Sequence, residues 1–136
     1  MWWTYALLSA FFAGLTAVLA KVGVKDVDSD LATAVRTVVI LVLTWGIVLF
    51  KKTAHPGGLS RQNLLFLVLS GVATGLSWLC YFRALQRGNV SQVAPVDKAS
   101  VAVAILLSAV FLHEPLTWKT AIGTLLILAG TWTLIW

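Results

Sequence analysis

Apolar residues along this chain do not alternate with polar ones so as to leave one wet face. They run in blocks. Crossing a hydrocarbon core of about 30 Å takes roughly 20 helical residues, and five blocks reach that length: 2–20, 31–50, 64–82, 90–112 and 116–136. Polar residues gather between them, in KVGVKDVDSD, KKTAHPGGLSRQN, RALQRGN and HEP. These connections are too short to hold a second folding unit, so residues 1–136 are expected to form one transmembrane domain. Backbone groups in lipid find no water, and the blocks are longer than the roughly 10 residues of a barrel strand. The expected fold class is therefore all-α, with five transmembrane helices.

Composition sharpens this reading. The chain is 60% hydrophobic and 11% charged, with a mean hydropathy of +0.93, outside the range of a soluble domain. No Lys or Arg precedes the first block, and its apolar run exceeds that of a cleaved leader. It is expected to stay as a span, although Val18-Leu19-Ala20 offers small residues for cleavage. A lone Cys80 excludes an internal disulfide and is expected to serve packing.

Ten basic residues against five acidic ones give a net charge of +5. The basic residues fall as ones and twos at block ends and make no stripe for a phosphate backbone, so no nucleic-acid partner is expected. No P-loop, HExxH or nucleophile elbow occurs, so neither an enzyme nor a cofactor is implied. His55 and His113 are too far apart in sequence to suggest a metal centre.

Orientation follows the excess of Lys and Arg in cytoplasmic loops. One side of the expected bundle holds Lys51, Lys52, Arg61 and Lys119, and the other holds Lys21, Lys25, Arg83 and Arg87. Four against four gives insertion little to choose by. Copies inserted both ways would pair as an antiparallel homodimer, supplying the inverted symmetry on which many transporters are built.

Small residues let helix backbones approach in lipid, where no hydrophobic force drives association. Gly71 and Gly75 make a GxxxG, while Gly123 and Gly130 lie two turns apart on one face, the expected dimer contact. Trp78 and Tyr81, one turn apart, offer a surface for a flat or cationic substrate, or merely fill space.

The stretch APVDKAS at 94–100 brings charge into the fourth block. Pro95 cannot donate to the Ser91 carbonyl, so a kink or local opening is expected there. Asp97 shares a face with Ser100, Ala104 and Ser108, a strip small enough to leave space. Lys98 and Arg36 are each candidates to pair with Asp97. A charge inside the membrane is a candidate for substrate binding or coupling, and also for a pair that only fixes packing. The residues leave that choice open. In the last turn region, Glu114 before Pro115 is expected to cap the start of the fifth helix.

Taken in order, Arg36, YFRAL at 81–85, SQVAPVDKAS at 91–100, AVFLHEPLT at 109–117 and GTLLILAG at 123–130 resemble the EamA family of drug/metabolite transporters. Most members of that family join two inverted five-helix repeats in one chain; this chain resembles one repeat. The resemblance implies a secondary transporter or exporter of small metabolites in a bacterial or archaeal inner membrane. Two copies would surround a central path, with spans one to four lining it and the Gly123/Gly130 helix joining the halves. PVDK at Pro95–Lys98 is similar to the form in single-repeat bacterial members, whereas His113 departs from the glycine usual before the glutamate. The small multidrug-resistance exporters are similar in architecture but need a glutamate in their first span, and residues 2–20 contain no acid. Two other functions stay open: a membrane partner subunit that does not transport, and a flippase of a lipid-linked anionic group, with Arg36 and Lys98 binding the anion.

If Asp97 carries a coupling proton, Asp97→Asn makes transport indifferent to an imposed pH gradient. A liposome flux that is unchanged from wild type at every pH removes Asp97 from the coupling.

Overall fold

The computed structural model describes residues 1–52 and 58–136, and His55 lies outside them. Helices α1 (Trp2–Gly23), α2 (Ser29–Phe50) and α3 (Arg61–Arg87) are followed by α4 (Val90–Lys98), α5 (Ser100–Phe111) and α6 (Trp118–Ile135). With α4 and α5 taken as one span, Val90–Phe111, the described residues hold five helices long and apolar enough to cross a membrane. The first three helices run past their apolar blocks where polar residues continue the turn, whereas Val90–Phe111 and α6 end within theirs. At 1.5 Å per residue, the 27 residues of α3 extend about 40 Å, so its ends pass beyond the hydrocarbon.

The chain divides into two compact units, Met1–Leu19 with Arg87–Trp136, and Ala20–Gln86. In the second unit, the end of α1 and the turn after it bury Ala20 and Val24. The start of α2 buries Ser29 and Thr33, and the last turns of α3 bury Phe82 and Leu85. Asp28 caps α2, its carboxylate accepting from the Asp30 and Leu31 amides at 2.9 and 3.1 Å. An N-cap carboxylate satisfies amides that a helix start leaves bare and suits the positive end of its dipole. Asp26 in the preceding turn has φ 61°, a conformation Asp tolerates better than most residues.

In the other unit, α4 packs chiefly against α6. The span is interrupted at Ala99, four residues beyond Pro95. The Ala99 amide donates to Val96 at 3.0 Å and the Ala102 amide to Ala99 at 3.0 Å, both three-residue bonds. This single tight turn takes the Ala99 amide from the Pro95 carbonyl, its regular partner. The hydroxyl of Thr131 in α6 donates to that carbonyl instead, at 3.2 Å. Thr131 thus satisfies the carbonyl that the tight turn leaves without its helical donor.

Two expectations are corrected here. Glu114 does not cap the last helix: α6 begins at Trp118, and Thr117 caps it by accepting from the Thr120 amide at 3.2 Å. Glu114 lies in the extended link, where its amide and that of Leu112 both donate to the Ser108 carbonyl, at 3.3 and 2.9 Å. Cys80 is exposed on the helix surface, so it is not packed within the chain.

Between these two amides His113 has φ 54°, the left-handed region that costs an L residue about 1–2 kcal/mol and glycine nothing. His113→Gly is therefore expected to raise the thermal midpoint in detergent by the equivalent of up to about 1 kcal/mol, the gain being trimmed by glycine's freer unfolded chain. His113→Val is expected to lower it.

Candidate functional site

Arg36 is eight residues into α2, about 10 Å along the helix from Ser29. Its guanidinium carbon lies 4.3 Å from the centroid of the Trp78 ring and 5.3 Å from that of Phe82. Trp78 and Phe82 are four residues apart on α3 and so share a face. Tyr81 is within electrostatic range of Arg36 and sets its ring edge-on to Phe82 at 6.3 Å. Phe82 is only 2% exposed, whereas Arg36, Trp78 and Tyr81 are half-buried. Three residues singled out in the sequence, Arg36, Trp78 and Tyr81, thus come together on facing sides of α2 and α3. The face of Trp78 that the sequence offers to a cationic substrate carries Arg36.

Stacking leaves most of this arginine's chemistry unspent. A cation–π contact contributes about 0.5–2 kcal/mol, while an arginine at a helix centre in the bilayer costs about 2.5–3.5 kcal/mol. Within the Ala20–Gln86 unit, no described residue serves the guanidinium as hydrogen-bond acceptor or carboxylate partner. Five N–H donors in a planar fork suit a carboxylate or phosphate taken two oxygens at a time.

Asp97 and Lys98 meet each other, Nζ to Oδ2, at 3.3 Å, with side chains 36% and 58% exposed. Such an exposed pair between neighbours contributes little to stability. Ser100 opens α5 on the exposed side of the Ala99 break, and Pro95 is held by Thr131. Gly123 and Gly130 have open space where a Cβ would stand, as do Gly71 and Gly75. Close packing within the chain does not require these glycines.

A second set of polar contacts, not singled out from the sequence, closes the end of the Ala20–Gln86 unit where its buried residues cluster. Arg83 donates two bonds to the Asp30 carboxylate, at 2.7 and 3.2 Å, both side chains about half exposed. Gln86 donates to the carbonyls of Val27 at 2.6 Å and Val24 at 3.3 Å. The Lys21 ammonium reaches the Leu85 carbonyl, one of the last in α3 and so without a helical donor. An open recess of about 740 Å³ lies beside them, lined by Lys21, Val22, Val24, Lys25, Asp26 and Gln86. Arg83 and Gln86 read from sequence as loop residues after the third block. The one signal for them was their spacing, since positions 82, 85 and 86 share a face only if the helix continues past Phe82. No three His, Cys, Asp or Glu side chains gather as a metal site among the described residues.

The model of the EamA-like transporter family matches residues 1–136. The chain belongs to the EamA-like transporter family. This EamA chain is 48% identical over 130 residues to an uncharacterised transporter from the cobO 3' region of a Sinorhizobium species, covering 95% of this chain and 92% of that one. It is 38% identical over 68 residues to an uncharacterised transporter of Bacillus subtilis, covering 50% of this chain and 22% of that protein. A third relative, an uncharacterised protein of Methanocaldococcus jannaschii, is 33% identical over 70 residues, 52% of this chain and 51% of its own. No solved structure matches the chain. This EamA chain is a multi-pass membrane protein and a transporter of the drug/metabolite type.

Removing the Gln86 amide frees two carbonyls in the turn between α1 and α2. Gln86→Leu is expected to speed hydrogen exchange of the amides in residues 24–31, with those of α4 to α6 unchanged, as read by exchange mass spectrometry in detergent.

Proposed function

We infer that two copies of this chain, inserted in opposite orientations, form a ten-helix secondary transporter that moves small metabolites across a bacterial or archaeal inner membrane without chemical change. One comparison carries the reading. The Sinorhizobium relative has the same single-repeat length, while the matched stretch is 22% of the Bacillus subtilis relative, a chain more than twice as long as this one. The long relative has room for both repeats, and the short ones need a second copy to supply the other half.

The balanced Lys and Arg residues support this reading, because neither orientation is favoured. The bare surfaces support it too: no residue of α4, α5 or α6 is buried within the chain, and the glycines of α6 face open space. Lipid and the second copy share that surface, with α6 as the joining helix. Alternating access then follows from rocking one copy against the other around sites such as Arg36 with Trp78.

Reporters active on opposite sides of the membrane, fused in turn to the C-terminus, test the assembly. Both fusions are expected to be active, and cysteine cross-links are expected between antiparallel copies of α6. A single fixed orientation overturns the homodimer and favours a dedicated partner subunit.

A further inference from the structure

We propose that Arg36 is the anchor for a small organic anion, its planar fork holding a carboxylate or phosphate head while Trp78 and the buried Phe82 back the guanidinium and the half-buried Trp78 flanks the ligand's apolar body. The inference rests on the transporter reading and names the substrate class of its site. The observation behind it is an imbalance. A permanent cation stands a third of the way into α2, half-buried against two aromatic rings, and within the Ala20–Gln86 unit none of its five donors meets an acceptor among the described residues.

Other basic residues of the same unit are used differently. Arg83 gives two bonds to Asp30, and Lys21 gives one to a helix-end carbonyl. Arg36 alone of these three is held by ring faces and spends no donor, so it is oriented without being neutralised. The two ring contacts place the guanidinium carbon and occupy none of its N–H donors, and paired N–H groups are where two oxygens dock. A cationic ligand would meet like charge at the Trp78 face, and a neutral sugar would leave the charge unpaired in a medium that penalises it. An anion removes that penalty on binding. The two rings beside the guanidinium lower the local dielectric and strengthen the pairing.

The test uses the full chain in nanodiscs and measures affinity by calorimetry for benzoate, succinate and inorganic phosphate, with glucose and tetraphenylphosphonium as neutral and cationic probes. At least one anion is expected to bind. Arg36→Gln is expected to weaken it by about tenfold or more, and Arg36→Lys by several-fold, because an ammonium keeps the charge but loses the paired geometry. Arg83→Gln, outside the site, is expected to leave it unchanged. Should Arg36→Gln fail to fold, the Lys variant still reports the fork. Response to the carboxylates alone, or to phosphate alone, assigns the head group. Competition by phosphatidylglycerol but not by phosphatidylcholine assigns it to a lipid.

Binding of glucose or tetraphenylphosphonium with no anion response overturns the proposal. So does an anion affinity equal in wild type, Arg36→Gln and Arg36→Lys. Liposome flux separates this result from the transporter reading. Arg36-dependent binding with no flux of any probe keeps the anchor and sinks transport, while flux indifferent to Arg36→Gln keeps transport and sinks the anchor.

Discussion

Carbonyl oxygens that outrun their helix are the constraint from which this structure follows. Where such an oxygen is buried under packed side chains or lies in hydrocarbon, water does not reach it and the protein has to supply the donor. Within the helices the backbone supplies it. At the ends and breaks, side chains do: Lys21 serves Leu85, Gln86 serves Val24 and Val27, and Thr131 serves Pro95. Each of these contacts also ties two elements together, so meeting the demand of the backbone sets which segments sit side by side.

The same demand explains where the chain is tightly packed. Ala20, Val24, Ser29, Thr33, Phe82 and Leu85 are buried where α1 ends, α2 begins and α3 ends, beneath the polar contacts just named. Elsewhere large apolar side chains face outward, since lipid is as good a neighbour as another leucine and nothing drives them inward. Arg36 lies one to two turns deeper than this sealed end. The aromatic pair Trp78 and Phe82 therefore meets it from a helix whose last turns are anchored at Leu85 and Gln86.

Proline 95 shows how local chemistry and packing divide the work. Its ring removes a donor and weakens the helix, yet the interruption falls at Ala99, where a tighter turn fits against α6. The charges between the two positions, Asp97 and Lys98, stay partly exposed and meet each other. A position that looks costly in sequence is relieved by exposure on one side and a hydroxyl on the other.

What the sequence determined alone was whatever depends on composition along a line. Five spans, the membrane setting, the family and the oddity of Arg36 were legible, because hydropathy and helix length are properties of consecutive residues. The left-handed turn at His113 was half legible, as a departure from a glycine. The tertiary structure decided the partners. Arg83 with Asp30 are 53 residues apart, Gln86 with Val27 are 59 apart, and Thr131 with Pro95 are 36 apart; no periodicity reports such pairs. It also set Arg36 over the Trp78 ring and gave Thr117 the cap assigned to Glu114. In each case the reason is geometric: a side chain chooses among acceptors and rings by their place in space, which only packed helices fix.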